Sequence, residues 1–142
     1  MKIPDVNVLV YAFRDDTDNS QAYRDWLEEA GNSPEALGIS ELILSGFMRV
    51  VTHPRIFAEP TSISTAREQA ESLLGAPATV RLRPGPSHWE IFARLCEESG
   101  VKGNHIADAY HAALAIESRA TFVTTDGDYA RFKNLRYAHP LR

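Results

Sequence analysis

Cysteine is almost missing from this chain. Cys96 stands alone among 142 residues, so no internal disulfide can form and packing must hold the fold. The words around it, "ARLCEES", offer no metal-ligand spacing, and Cys96 reads as a small core residue. Lysine is nearly as scarce: of 15 basic residues only Lys2, Lys102 and Lys133 are not arginine. Arginine suits bidentate contacts to phosphate, although a GC-rich coding sequence leaves the same bias. With 19 acids and a net charge of −4, no broad basic field draws in nucleic acid, and any phosphate must be bound by local features. No run approaches the roughly 20 apolar residues of a membrane span, and no apolar leader with a small-residue cleavage site opens the chain. A cytoplasmic protein with no membrane partner is expected. P-loop and GxGxxG motifs are absent, as are repeats and linkers, so residues 1–142 are expected to form one domain.

What is present alternates between strand-like and helix-like segments. The opening residues through Pro4 read as a short buried strand, and Asn7 to Phe13 as a helix apolar nearly all round. After the turn "DDTDNS", a second helix places Ala22, Trp26, Leu27 and Ala30 on one stripe. A strand at "EALGIS" leads into the helix "LILSGFMRVVTH", stopped by Pro54. Ala66, Ala70, Leu73 and Leu74 mark a fourth helix, and "ATVRLRPGP" is a strand and turn. Ser87 to Ser99 follows as a helix with Trp89, Phe92, Ala93 and Cys96 on one side. A long helix begins near Asn104, "ATFVTTD" is a buried strand, and "LRYA" is a last one. The alternation predicts an α/β sandwich around a mainly parallel sheet.

Four acids fall at the junctions of that pattern. Asp5 ends the first strand, Glu41 stands where the second strand meets its helix, and Asp126 follows "TFVTT". Asp108 lies one turn beyond Asn104, on the same helix face. In open parallel sheets, ligands gather outside the carboxyl ends of the strands. Taken singly, each acid also reads as a helix cap or a partner of the helix dipole. Together they suggest a cation site, because several adjoining carboxylates raise one another's pKa unless a cation neutralises them. Hard oxygen donors suit Mg²⁺ or Mn²⁺ beside phosphate, and such a site predicts metal-assisted phosphodiester hydrolysis. Asp126 and Asp128 in "TTDGDYARF" are nearly equivalent, and either can supply the fourth carboxylate. His105 and His111 flank Asp108 at a separation that turns them to different faces, which disfavours a histidine metal site.

The segments "PDVNVLVYAF", "SELILSGFMRVVTHPRIF", "GNHIADAYHAALAIE" and "TFVTTDGDYARF" resemble, in order and over essentially the whole chain, the PIN-domain ribonucleases and among them the VapC toxins of VapBC pairs. The resemblance implies a three-layer α/β/α fold, RNA cleavage with Mg²⁺ or Mn²⁺, and inhibition by a cognate VapB-like antitoxin. It maps the catalytic and metal-binding acids onto Asp5, Glu41, Asp108 and Asp126, with Asn7, Asn104 and Asp128 as supporting polar groups. A homodimer is expected. The Asn7–Phe13 helix, apolar around most of its circumference, with the Trp26 helix beside it, leaves a groove suited to an amphipathic antitoxin helix, a reading the resemblance supports. Two other functions remain open: a PIN module that binds RNA or protein without turnover, and a phosphatase of the haloacid-dehalogenase type. The second is disfavoured because Asn7 stands where that chemistry wants another Asp.

Overall fold

The structure, a computed structural model, describes residues 1–142. Strand β1 (Lys2–Pro4) runs through Asp5 into helix α1 (Val6–Phe13), and α2 (Ser20–Asn32) leads back to β2 (Leu37–Ser40). Helices α3 (Glu41–Val51) and α4 (Ile63–Leu74) precede β3 (Thr79–Leu82). Helices α5 (His88–Ser99) and α6 (His105–Glu117) then cross to β4 (Thr121–Val123), and a 3₁₀ turn at Gly127–Arg131 precedes β5 (Tyr137–Ala138). The five strands lie in the order β3-β2-β1-β4-β5, and every pairing is parallel.

That order explains the layers. The chain moves outward from β1 to β3 and then returns across the sheet to β4. With right-handed crossovers, α1–α4 and α5–α6 cover opposite faces; α1 packs on both α2 and α3, and α3 on α4, while α5 packs on α6. The result is a three-layer α/β/α sandwich. Strand direction reverses its progress at β1, so the crevice at a topological switch point opens beyond β1 and β4.

Buried strands lack the alternation of one-sided sheets: all four residues of β2 are buried, as are Ile3, Phe122 and Val123, which is usual when helices cover both faces. Gly38 lets β2 pack closely: a Cβ there would lie 2.5 Å from Leu82 Cδ1 and 3.1 Å from Ile3 Cγ1, and those side chains would have to shift. Helix α6 is sunk into the core because four of its residues there, Ala109, Ala112, Ala113 and Ala115, are small and wholly covered.

Two predicted helix faces differ from the structure. In α2 the buried positions are Tyr23, Leu27, Ala30 and Gly31, with Ala22 outside and Trp26 half-covered. The Tyr23 ring packs on Tyr11 of α1 at 5.1 Å, which turns the helix slightly from its most apolar stripe. In α5 the buried residues are His88 and Leu95, while Ala93 is exposed and Trp89 is 70% exposed. His88 Nε2 bonds the Tyr110 carbonyl at 3.0 Å, and its ring lies against Tyr110 and Phe92. This polar anchor to α6 fixes the rotation of α5 and sends Trp89 outward. Cys96 is only half-buried, at the edge of this packing.

Candidate active site

The strand-to-helix step at Asp5 answers why an acid stands between two core segments. Asp5 caps α1, its Oδ1 accepting the Val6 N–H at 2.7 Å. Its Oδ2 accepts the Thr124 hydroxyl, from beyond β4, at 2.6 Å. Thr124 Oγ1 in turn accepts the Asp126 N–H at 3.0 Å, so one hydroxyl ties the ends of β1 and β4 together. Asp126 Oδ1 accepts the Asp128 N–H at 2.8 Å and starts the 3₁₀ turn. That turn buries Tyr129, whose hydroxyl reaches back to donate to Asp108 Oδ1 at 3.2 Å. His105 Nδ1 lies 3.1 Å from the other carboxylate oxygen of Asp108.

Asp5, Asp108 and Asp126 therefore line one cavity of about 750 Å³, together with Asn7 and Asn104. Its other wall is one face of α3, with Leu42, Ser45, Gly46 and Arg49. Glu41 is not among the lining residues: its side chain is largely exposed and turns toward the Arg83 guanidinium, 3.9 Å away at the end of β3. Asp128 also faces solvent, paired with Arg131 at 3.3 Å. His105 and His111, expected on different faces, both line the cavity, because it wraps around the end of α6. His111 is buried, stacks on Phe122 and leaves Nδ1 without a hydrogen-bond partner. Burial holds its imidazole down at about 4, with Asp108 acting in the opposite direction, so the ring is neutral at pH 7.

The electrostatics centre on Asp5. It is 5% exposed, and burial pushes its carboxyl up to about 6. The Thr124 and Val6 hydrogen bonds oppose that rise, while the charges of Asp108 and Asp126 add to it. Burial likewise raises the Tyr129 phenol, as do the acids around it, which keeps it a donor to Asp108. The donor set is three carboxylates and two amides, all hard oxygen ligands, with no thiolate. No three acidic or imidazole groups converge closely enough to enclose an ion.

Thr124 and Tyr129 were not singled out from the sequence. Thr124 carries a faint signal, a hydroxyl between an apolar strand and an acid. Tyr129 carries none, because its bond to Asp108 spans 21 positions.

Comparison with known proteins identifies the family. A PIN domain family model matches residues 2–135. The chain belongs to the PIN-domain family. Within that family it is 49% identical over 137 residues to a protein named VapC ribonuclease Mb2897 of Mycobacterium bovis, covering 96% of this chain and 93% of that one. The same figures hold for Ribonuclease VapC43 of Mycobacterium tuberculosis, and Ribonuclease VapC37 of that organism is 34% identical, covering 99% of this chain and 97% of its own. In fold, the PIN domain is similar to a chain of VapBC-1 from nontypeable Haemophilus influenzae, with a TM-score of 0.69, 15% identity and coverage of 99% and 98%. It is also similar to a chain of VapBC2 from Rickettsia felis bound to a promoter DNA fragment, with a TM-score of 0.67, 19% identity and coverage of 97% of each chain.

The raised Asp5 carboxyl has a signed consequence for this PIN domain. Below the unfolded value of 3.8 both states keep the proton, so ionisation costs nothing; above about 6 both have lost it and the cost is complete. Stability therefore falls as pH rises through that window, by ~3 kcal/mol for a gap of about two pH units. Asp5→Asn keeps the Val6 cap and cannot ionise. In chelator, its melting temperature relative to wild type is expected to rise by several degrees between pH 4 and pH 7. A difference that does not vary with pH would contradict the assignment.

Proposed function

We propose that this PIN domain is a metal-dependent endoribonuclease, the toxin of a toxin–antitoxin pair, which hydrolyses RNA phosphodiester bonds. The observation that carries the reading is the buried Asp5 carboxylate, oriented by two hydrogen bonds toward a cavity it shares with Asp108 and Asp126. A buried acid surrounded by further acids is costly unless its purpose is to hold a cation. The relatives' names as ribonucleases support RNA as the substrate.

Asp5, Asp108 and Asp126 are the residues that would hold Mg²⁺ or Mn²⁺, with Glu41 joining from the first turn of α3 by releasing its loose contact with Arg83. When bound, such an ion supplies Lewis-acid polarisation of the phosphodiester and lowers the pKa of water. The chain itself does the positioning. Thr124 fixes the Asp5 carboxylate and, through the Asp126 N–H, the start of the turn that carries Asp126. Tyr129 orients Asp108 from the buried side and His105 from the open side. Asn104, at the N-terminus of α6, sets amide donors and the positive end of a helix dipole beside the cavity for an anionic substrate.

The antitoxin has a groove to occupy. Little of α1 is left free, since Val8, Leu9, Val10 and Ala12 are spent on the core. Its last turn joins α2 and, unanticipated from the sequence, α4 to line a partly apolar groove of about 270 Å³ through Phe13, Leu27, Leu73 and Ala76. An amphipathic antitoxin helix matches that shape.

RNA cleavage in MgCl₂ is expected to vanish in chelator and to fall at least a hundredfold in Asp108→Asn. Asp126→Ala is expected to cost far more activity than Asp128→Ala; the reverse order, in folded proteins, would transfer the site to the 3₁₀ turn. For the groove, Ala76→Glu is expected to weaken inhibition by the cognate antitoxin while leaving RNA cleavage intact. Undiminished inhibition of Ala76→Glu would place the antitoxin elsewhere.

A further inference from the structure

The cavity has two unlike walls. One carries the three aspartates, held by Thr124, Tyr129 and the start of α1. The other is the face of α3 on which Leu42, Ser45 and Arg49 recur at helical spacing. Arg49 is the only Arg or Lys among the residues lining the cavity. It belongs to none of the chain's ion pairs, which join other arginines to Asp16, Asp15, Glu71, Glu41, Glu98 and Asp128. Its guanidinium is exposed at the cavity wall and makes no side-chain hydrogen bond to the protein. On a protein whose net charge is −4, an unneutralised arginine facing an acidic cavity is positioned for an anion that the acids alone would repel.

Gly46 brings this wall close to the reacting end of β1. A Cβ there would come within 2.9 Å of Val6 Cγ2, and Val6 follows the capping Asp5. The missing side chain eases the close approach of α3 to the start of α1, where α3 lines the same cavity as the aspartates.

We propose that Arg49, with Ser45 one turn before it, forms a subsite for the RNA phosphate adjoining the one that is cut. The substrate strand then crosses the cavity from the N-terminus of α6 to the last turn of α3. This rests on the ribonuclease reading and adds to it a direction for the strand and a positioning residue away from the carboxylates. Arginine suits the task because its planar fork donates two parallel hydrogen bonds to phosphate oxygens.

The test is steady-state cleavage of a labelled single-stranded RNA in MgCl₂ across a range of KCl, comparing wild type with Arg49→Gln and Arg49→Lys. Arg49 is exposed, so both variants are expected to keep the wild-type circular dichroism and melting temperature. Arg49→Gln is expected to raise KM about tenfold, the worth of one charge-assisted contact, and to change kcat little. Its plot of log(kcat/KM) against log[KCl] should be shallower by about 0.7, one phosphate contact to a single strand. Arg49→Lys should recover the salt slope and part of the affinity. An unchanged KM and salt slope in Arg49→Gln would overturn the subsite, as would a loss confined to kcat. If the wild-type protein cuts no RNA, the ribonuclease reading falls. Fluorescence anisotropy of the same RNA in MgCl₂ then decides Arg49 separately: weaker and less salt-sensitive binding by Arg49→Gln supports the subsite, and equal binding overturns it.

Discussion

A single hydroxyl joins the two halves of this site. Thr124 donates to Asp5 and accepts from the backbone of Asp126, spanning the two central strands where the sheet reverses its progress. Removing that bond would leave a buried carboxylate with one donor fewer, and such groups cost free energy out of proportion to the bond itself. The parallel pairing of β1 with β4, Ile3 beside Phe122 and Pro4 beside Val123, brings the two acids into this relation. The alanines of α6 let Asp108 join them, because a bulkier helix would stand further from the sheet.

Much of this was legible in the sequence. Strand and helix alternation implied the layered fold, since apolar runs ending in an acid or a cap are local signals. Asp5 and Asp126 followed from their places after apolar strands, and Asp108 from its turn spacing with Asn104. The contacts that orient them were not legible. Thr124 meets Asp5 across 119 positions, and the direction of the Glu41 side chain depends on Arg83, which a different strand delivers. The rotation of α5 escaped for a related reason: its apolar stripe favours Trp89, whereas a buried hydrogen bond from His88 to α6 decides which side faces in. His105 and His111 do lie on different faces of α6, one exposed and one buried, yet both border the cavity because it closes around the helix end.

A net negative charge gives the proposed site its character. With a net charge of −4 the protein has no overall positive field to gather RNA. In the ribonuclease we propose, binding would therefore rest on a few groups at one place: a cation among aspartates, the amides at the α6 N-terminus, and Arg49 opposite. The groove at α1, α2 and α4 has a different lining from the cavity, so an antitoxin seated there, as we propose, would gain apolar contact without copying the substrate.

In the function we propose, Asp5 is buried and oriented in order to hold a divalent cation. Calorimetric titration of Mn²⁺ into the wild-type protein and Asp5→Asn, at pH 5 and pH 7, tests it most directly. Wild type should bind more tightly at pH 7, because below about 6 a proton must leave Asp5 before the ion enters; Asp5→Asn should lose most of the affinity and that pH dependence. Equal Mn²⁺ affinity in the two proteins at both pH values would contradict the account.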